Sequence, residues 1–307
     1  MKPQSAVADL PWLDRRWYDE VATPAEAERF CRSLAERHYE NFSVLSLFVP
    51  RRLRQHFANV YAYCRVSDDL ADELGNPQES LRRLDEWQEH LDRCYWGERR
   101  HPVFVALART VEAFDIPKQP FDDLLVAFRQ DQTQLRYRTW KDLIGYCRNS
   151  ANPVGRLVLY LCGYRDERRQ RLSDATCTAL QLANFWQDVA RDYDNGRIYV
   201  PLEILEAWGY SEARLARREY CSEWVAVMQD LIGRTRPLFA EGLELPRLLR
   251  GRLRLVVDLF SRGGLEVLRA IEEECRCDTL RRRPEVTRLC KARLCAGALL
   301  RSWRPAR

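Results

Sequence analysis

The chain has 307 residues, 46% of them apolar, which is enough to bury a sizeable core. Eleven cysteines in so large a chain do not read as a disulfide framework, and a reducing cytosol is the expected setting. The net charge of +5 is uneven, because nine Lys/Arg against Glu285 alone give residues 281–307 a balance of +8 and leave −3 for the remainder. The N-terminus lacks the sustained apolar run of a secretory signal. The most apolar stretches, around Leu157–Cys162 and Leu255–Phe260, are interrupted by Arg156, Arg165, Arg254 and Asp258, too soon to span a bilayer.

Thirteen glycines, few Val/Ile/Thr alternations and abundant Leu, Ala, Arg and Glu predict helix nearly throughout, in one all-α domain over 1–307 with a basic tail from about 281. The first predicted helix starts at Thr23-Pro24 and runs to Tyr39, with a turn at 40–43. A second begins after Pro50 and continues to about Glu73, where Gly75-Asn76-Pro77 closes it. Further helices are predicted over 79–95, 102–114, 120–129 and 140–162, the last kinked or broken by Pro153. Ser173/Asp174 marks the start of another, ending near Asn195-Gly196. An extended link at 197–201 follows, and Pro246 and Pro284 mark two later boundaries.

Two acidic pentads, Asp68-Asp69-Leu70-Ala71-Asp72 and Asp188-Val189-Ala190-Arg191-Asp192, lie about 120 residues apart inside apolar-periodic stretches. Each puts carboxylates four residues apart, on one helix face and one turn above the other. Phe57, Val60, Tyr61, Tyr63 and Cys64 precede the first; Leu180, Leu182, Phe185 and Trp186 precede the second. Carboxylates in apolar surroundings are costly unless a cation offsets them. Oxygen-only donor sets suit Mg²⁺, which bridges to phosphate. The expectation is two acidic walls that clamp a diphosphate. Gln181 and Asn184 extend the second pair into a polar stripe. A lone i, i+4 acidic pair on a helix is more often a solvated face, and it is the context of each that argues otherwise.

Cys275, Cys277, Cys290 and Cys295 have a spacing unlike that of zinc-binding pairs and read as free thiols. The basic C-terminus, with Leu289, Leu294, Leu299, Leu300 and Trp303, reads equally as a solvated tail or as a peripheral contact with an anionic membrane. No aromatic-interleaved basic patch points to nucleic acid.

The segment Tyr61-Ala62-Tyr63-Cys64-Arg65-Val66-Ser67-Asp68-Asp69-Leu70-Ala71-Asp72 resembles the first aspartate-rich motif of the squalene/phytoene synthase family. Gln181-Leu182-Ala183-Asn184-Phe185-Trp186-Gln187-Asp188-Val189-Ala190-Arg191-Asp192, followed by Gly196-Arg197-Ile198-Tyr199-Val200-Pro201, resembles the second. Tyr146-Cys147-Arg148-Asn149-Ser150-Ala151-Asn152-Pro153-Val154-Gly155 resembles the segment between them, and His38-Tyr39-Glu40-Asn41-Phe42-Ser43 the N-terminal substrate loop. The resemblance covers roughly 35–205 in order. It implies a prenyl-synthase helical bundle around a central cavity. Asp68, Asp72, Asp188 and Asp192 would bind Mg²⁺, and His38, Asn41, Phe42, Tyr61, Arg65, Gln181, Asn184 and Arg197 would contact a prenyl diphosphate. Tyr146 would face the carbon skeleton as an acid/base, a cation-stabilising wall or a packed aromatic.

Three positions depart from the commonest family pattern: Glu40 and Gln187 replace basic residues, and Ser150–Pro153 replaces a small apolar stretch. The set is similar to bacterial hydroxysqualene synthases, which convert presqualene diphosphate and water to hydroxysqualene. They work between a presqualene diphosphate synthase and a flavin enzyme that reduces the product. That similarity implies a cytoplasmic enzyme of squalene and hopanoid biosynthesis, with Ser150 and Asn152 positioning the capturing water. The competing expectations are head-to-head condensation to squalene, presqualene diphosphate or phytoene, and a non-catalytic scaffold. The intact aspartates speak against the scaffold.

Overall fold

The computed structural model describes residues 21–37 and 49–302. They are helical nearly throughout, with no strand among the described residues. By internal contacts the chain divides into two compact units, 1–133 with 156–165, and 134–155 with 166–307.

The first unit contains α1 (Pro24–Arg37), α2 (Arg54–Asp72), α3 (Pro77–Trp96), α4 (Pro102–Phe114) and α5 (Gln119–Gln130). Local chemistry sets their starts. The Thr23 N–H donates to Glu26 at 2.9 Å and the Glu26 N–H donates back to the Thr23 hydroxyl, a reciprocal cap. Asn76 caps α3 with Pro77 at its first position, and His101 caps α4 ahead of Pro102. Helix α2 packs against α1, α3, α4 and α5. Its inner face is pinned by polar contacts: Tyr63 donates to the Phe121 carbonyl at 3.0 Å, the Trp87 indole donates to Ser67 at 3.0 Å, and buried Asn59 donates to Ala106 and Thr110. With that face locked, the stripe Tyr61, Arg65, Asp68 and Asp72, at spacings of four, three and four, lies on a different one. His38, Asn41 and Phe42 lie outside the described residues, as does the turn expected at 40–43.

The second unit contains α6 (Trp140–Ser150), the start of α7 (Asn152–Leu161), α8 (Glu167–Gln187), α9 (Val189–Asp194), α10 (Leu202–Ala207), α11 (Glu212–Ala216), α12 (Ser222–Gly242), α13 (Leu245–Leu248), α14 (Gly251–Arg269) and α15 (Arg288–Ser302). A π-helical turn, Ala270–Glu274, extends α14. The break expected at Pro153 falls between α6 and α7. Helix α8 starts earlier than Ser173/Asp174, because Asp166 caps it by accepting from the Arg169 N–H at 3.1 Å. It packs along α12 and α14, and the Trp186 indole donates to Thr235 at 2.9 Å.

Glycine sets the closeness of that packing. A Cβ on Gly242 would meet Thr176 backbone atoms at 3.1 and 3.2 Å, and its hydroxyl closer still. Gly242→Ala, which would stabilise an ordinary helix interior, is expected here to cost about 1–3 kcal/mol by overpacking. Chemical denaturation reads it, and an unchanged or raised midpoint would contradict the close approach. All eleven cysteines are free thiols. Among the described residues no helix is long and apolar enough to cross a membrane.

Candidate functional site

In the first unit, the last turn and a half of α2 carries the acidic pentad. Asp68 is about half-exposed at 45% of its side chain, Asp72 is exposed, and Asp69 is buried at 1%. The residue that leaves solvent is thus Asp69, which the i, i+4 pattern did not single out. Arg65 lies between the two neighbours: its guanidinium is 3.3 Å from Asp68 and forms a closer ion pair with Asp69. Among the described residues neither Asp69 oxygen accepts a well-directed hydrogen bond. Burial pushes the Asp69 carboxyl up to about 7, against the pull of Arg65 and with a further push from Asp68. Tyr61, one turn before Arg65, is half-buried, and burial raises its phenol as well. The two outer carboxylates remain accessible to a cation, and Arg65 is held beside them.

In the second unit, α8 ends at Gln187 and α9 starts at Val189, so Asp188 sits in a break with φ −106° and ψ 16°. The expected uninterrupted helix through the second pentad is therefore corrected. A fully helical Asp188 would carry α8 straight on, whereas here the chain turns at this residue. The turn-to-turn bonding survives, since the Asp188 N–H donates to the Asn184 carbonyl and the Asp192 N–H to the Asp188 carbonyl, both at 2.9 Å. Asp188 and Asp192 thus remain electrostatic neighbours. Burial pushes the Asp192 carboxyl up to about 7, Asp188 raises it further, and Arg197 and Arg191 oppose the shift. Such a pair of neighbouring carboxylates offers oxygen donors of the type that could hold a hard cation. Gln181 is half-buried and Asn184 exposed, two turns and one turn before Asp188 respectively.

Arg283 is a residue that motif reading missed. Its Nε donates to Asp188 at 2.6 Å, and its Nη2 donates to Asp188 at 3.1 Å and to Gln187 at 3.1 Å. Buried Gln187 in turn donates to the Pro284 carbonyl. The positive charge that Gln187 lacks is therefore supplied next to Asp188 from 95 residues further along the chain. The only sequence signal is the run Arg281-Arg282-Arg283-Pro284, which by composition belongs with the basic tail.

Tyr146 lies in a buried aromatic group with Tyr137, Phe185 and Tyr199. Phe185 and Tyr199 stack at 3.8 Å between centroids, and Tyr146 lies 6.2 and 5.9 Å from them. The extended link at 197–201 brings Tyr199 here. The Ile198 N–H donates to the Leu135 carbonyl at 2.9 Å, and Arg136 donates to the Gly196 carbonyl at 2.6 Å. One turn after Tyr146 on α6, the Ser150 hydroxyl is buried with no hydrogen-bond partner among the described residues. Asn152 is also buried, and its Oδ1 accepts from the Thr178 hydroxyl at 2.8 Å, which ties α7 to α8. Asn152→Ala should therefore cost about 1–3 kcal/mol of stability, read by thermal unfolding; an unchanged melting temperature would show that the bond contributes nothing.

The squalene/phytoene synthase family model matches residues 35–290. The hydroxysqualene synthase of Rhodopseudomonas palustris is 35% identical over 237 residues, covering 76% of this chain and 80% of that protein. The 15-cis-phytoene synthase of Synechococcus elongatus is 32% identical over 233 residues, covering 72% and 76%. The crystal structure of squalene synthase HpnC from Alicyclobacillus acidocaldarius superposes with a TM-score of 0.78 at 45% identity, covering 81% of this chain and 94% of that one. A dehydrosqualene synthase in complex with ligand has the same TM-score at 26% identity, covering 91% and 98%. With the motifs in order on an all-α frame, and most of its length matched, the chain belongs to the squalene/phytoene synthase family.

Proposed function

We propose that this protein converts presqualene diphosphate and water to hydroxysqualene, with release of diphosphate. The observation that carries the water-capture reading is the Ser150 hydroxyl, buried and without a hydrogen-bond partner among the described residues, one helical turn from Tyr146. A buried hydroxyl left unpaired costs about 1–3 kcal/mol, which a water or substrate oxygen bound there would relieve. The likeness to a hydroxysqualene synthase and to the HpnC squalene synthase supports the substrate class.

Asp68 and Asp72 of the first unit and Asp188 and Asp192 of the second would hold Mg²⁺. Bound there, the metal supplies Lewis-acid neutralisation of the leaving diphosphate. Arg65 and Arg197 offer planar donor forks to the phosphate oxygens. Arg283, paired with Asp188, would offer a third fork to phosphate if released from that carboxylate. Tyr61, Gln181 and Asn184 supply further polar contacts, as would His38, Asn41 and Phe42. Ionisation breaks the carbon–oxygen bond, and its electron pair leaves with the diphosphate. The cyclopropylcarbinyl cation rearranges against the π faces of Tyr146, Phe185 and Tyr199, which favour cations. A lone pair from water held by Ser150 closes the new carbon–oxygen bond, and the oxygen passes its extra proton to the departed diphosphate anion. The product then passes to a flavin-dependent reductase, and a presqualene diphosphate synthase supplies the substrate.

A second reading, head-to-head condensation of two prenyl diphosphates, is favoured by the likeness to the Synechococcus phytoene synthase and by the charge that Arg283 restores beside Gln187. Turnover of presqualene diphosphate in water enriched with heavy oxygen tests the first reading. Wild type should give labelled alcohol, and Ser150→Ala should divert product towards elimination or rearranged hydrocarbons. Unlabelled alcohol, or an unchanged product mixture from Ser150→Ala, would overturn the assignment.

A further inference from the structure

In the second unit, α13, α14 and α15 enclose a cavity of about 250 Å³ whose lining includes four arginines, Arg247, Arg254, Arg262 and Arg301, and a single acid, Asp258. Asp258 is buried and already shared. One oxygen accepts from Arg262 at 2.9 Å and the other from Arg301 at 2.7 and 3.0 Å. Its one negative charge leaves the lining at +3. Arg254 also donates to the Arg301 carbonyl at 3.2 Å, which fixes the α14–α15 corner. Among the described residues the Arg247 side chain has no hydrogen-bond or ion-pair partner. The first turn of α14, where Arg254 sits, has neither an acidic residue nor a side-chain cap, so its dipole adds to the positive field.

The rest of the wall is apolar, with Leu243, Leu255 and Ala298 beside the guanidinium groups. A site for a bare inorganic anion has no use for such a wall. A phosphate group carrying an acyl chain matches both surfaces. The neighbouring surface of α15 has the same character: Leu289 is 74% exposed, and Lys291 and Arg293 are exposed beside it.

We propose that this pocket receives the phosphate headgroup of an anionic membrane lipid and seats α15 on a bilayer surface. This goes beyond the reaction proposed above and is independent of it, because the readout below needs no turnover. The purified full chain is sedimented with vesicles of phosphatidylglycerol and phosphatidylcholine, and with vesicles of phosphatidylcholine alone. The comparison proteins are an Arg247→Gln/Arg254→Gln double variant and an Arg93→Gln/Arg100→Gln control, which removes two exposed charges from the other unit. Circular dichroism checks that both fold. Wild type and control should bind the anionic vesicles alike, and the pocket variant about 30-fold more weakly, the effect of two basic groups at an anionic surface. Equal losses in both variants would overturn the pocket, since bulk charge would then account for binding. Indifference to phosphatidylglycerol would overturn it too. So would calorimetric binding of inorganic phosphate, lost in the pocket variant, without vesicle binding: the site would then serve a free anion.

Discussion

Asp192→Asn is expected to reduce turnover of presqualene diphosphate about a thousandfold while making the metal-free protein more stable at pH 8. The activity loss follows from the proposed role of Asp192 in holding Mg²⁺, whose charge would neutralise several kcal/mol of negative charge developing on the diphosphate. The stability gain follows from the carboxyl's position, pushed up to about 7 by burial and by Asp188. In the unfolded chain an Asp titrates near 3.9. The folded protein therefore holds this proton more tightly, and its contribution to stability is full below about pH 4 and lost as pH rises through about 7. Asn cannot ionise, so the variant escapes that loss. Melting temperatures in chelator should coincide near pH 4 and diverge in favour of the Asp192→Asn variant by pH 8. Coincident curves at pH 8 would contradict the raised carboxyl of Asp192, and retained turnover would remove it from the proposed metal-binding set.

Arg283→Ala is expected to lower turnover by about 10–100-fold while tightening the apparent affinity for Mg²⁺. The two effects run in opposite directions because Arg283 has two partners in time. Its fork occupies Asp188, so a metal proposed to bind there would have to displace it, and the released fork would then be available to a substrate phosphate. Arg283→Lys should keep the charge but lose the bidentate geometry, and should recover little activity. The Arg283 side chain is 47% exposed, so the stability cost should stay within about 1 kcal/mol. Weaker Mg²⁺ binding alongside weaker turnover would mean that Arg283 merely holds Asp188 in place.

The parts of the fold that short-range chemistry controls were readable from the chain. Thr23-Pro24 and Pro102 start helices because their caps and fixed φ act within one turn, and Pro153 ends α6 for the same reason; Asn76-Pro77, read only as closing α2, also caps α3 two residues earlier than expected. The polar stripes of α2 and α8 were visible in their spacing. The start of α8 was misplaced because Glu167–Arg171 is almost wholly charged and looks like a loop, and it takes Asp166 as cap to commit it to helix. The break at Asp188 was hidden because spacing alone cannot report a backbone turn that keeps the i, i+4 bonds. Pro237 went unmarked inside α12, where packing against α8 and α14 offsets the lost hydrogen bond. Within the site, pattern chose Asp68 and Asp72, yet only packing could show that Asp69 is the buried member held by Arg65. The Arg283–Asp188 pair spans too much sequence for any local rule to reveal.

The central claim is water capture from presqualene diphosphate. Purified protein with Mg²⁺ is given presqualene diphosphate in one reaction and farnesyl diphosphate in another, without a nicotinamide reductant, and the lipids are identified by mass spectrometry. Hydroxysqualene from the first and no product from the second is the expected result. Presqualene diphosphate or a longer hydrocarbon formed from farnesyl diphosphate would contradict it and identify a condensing synthase.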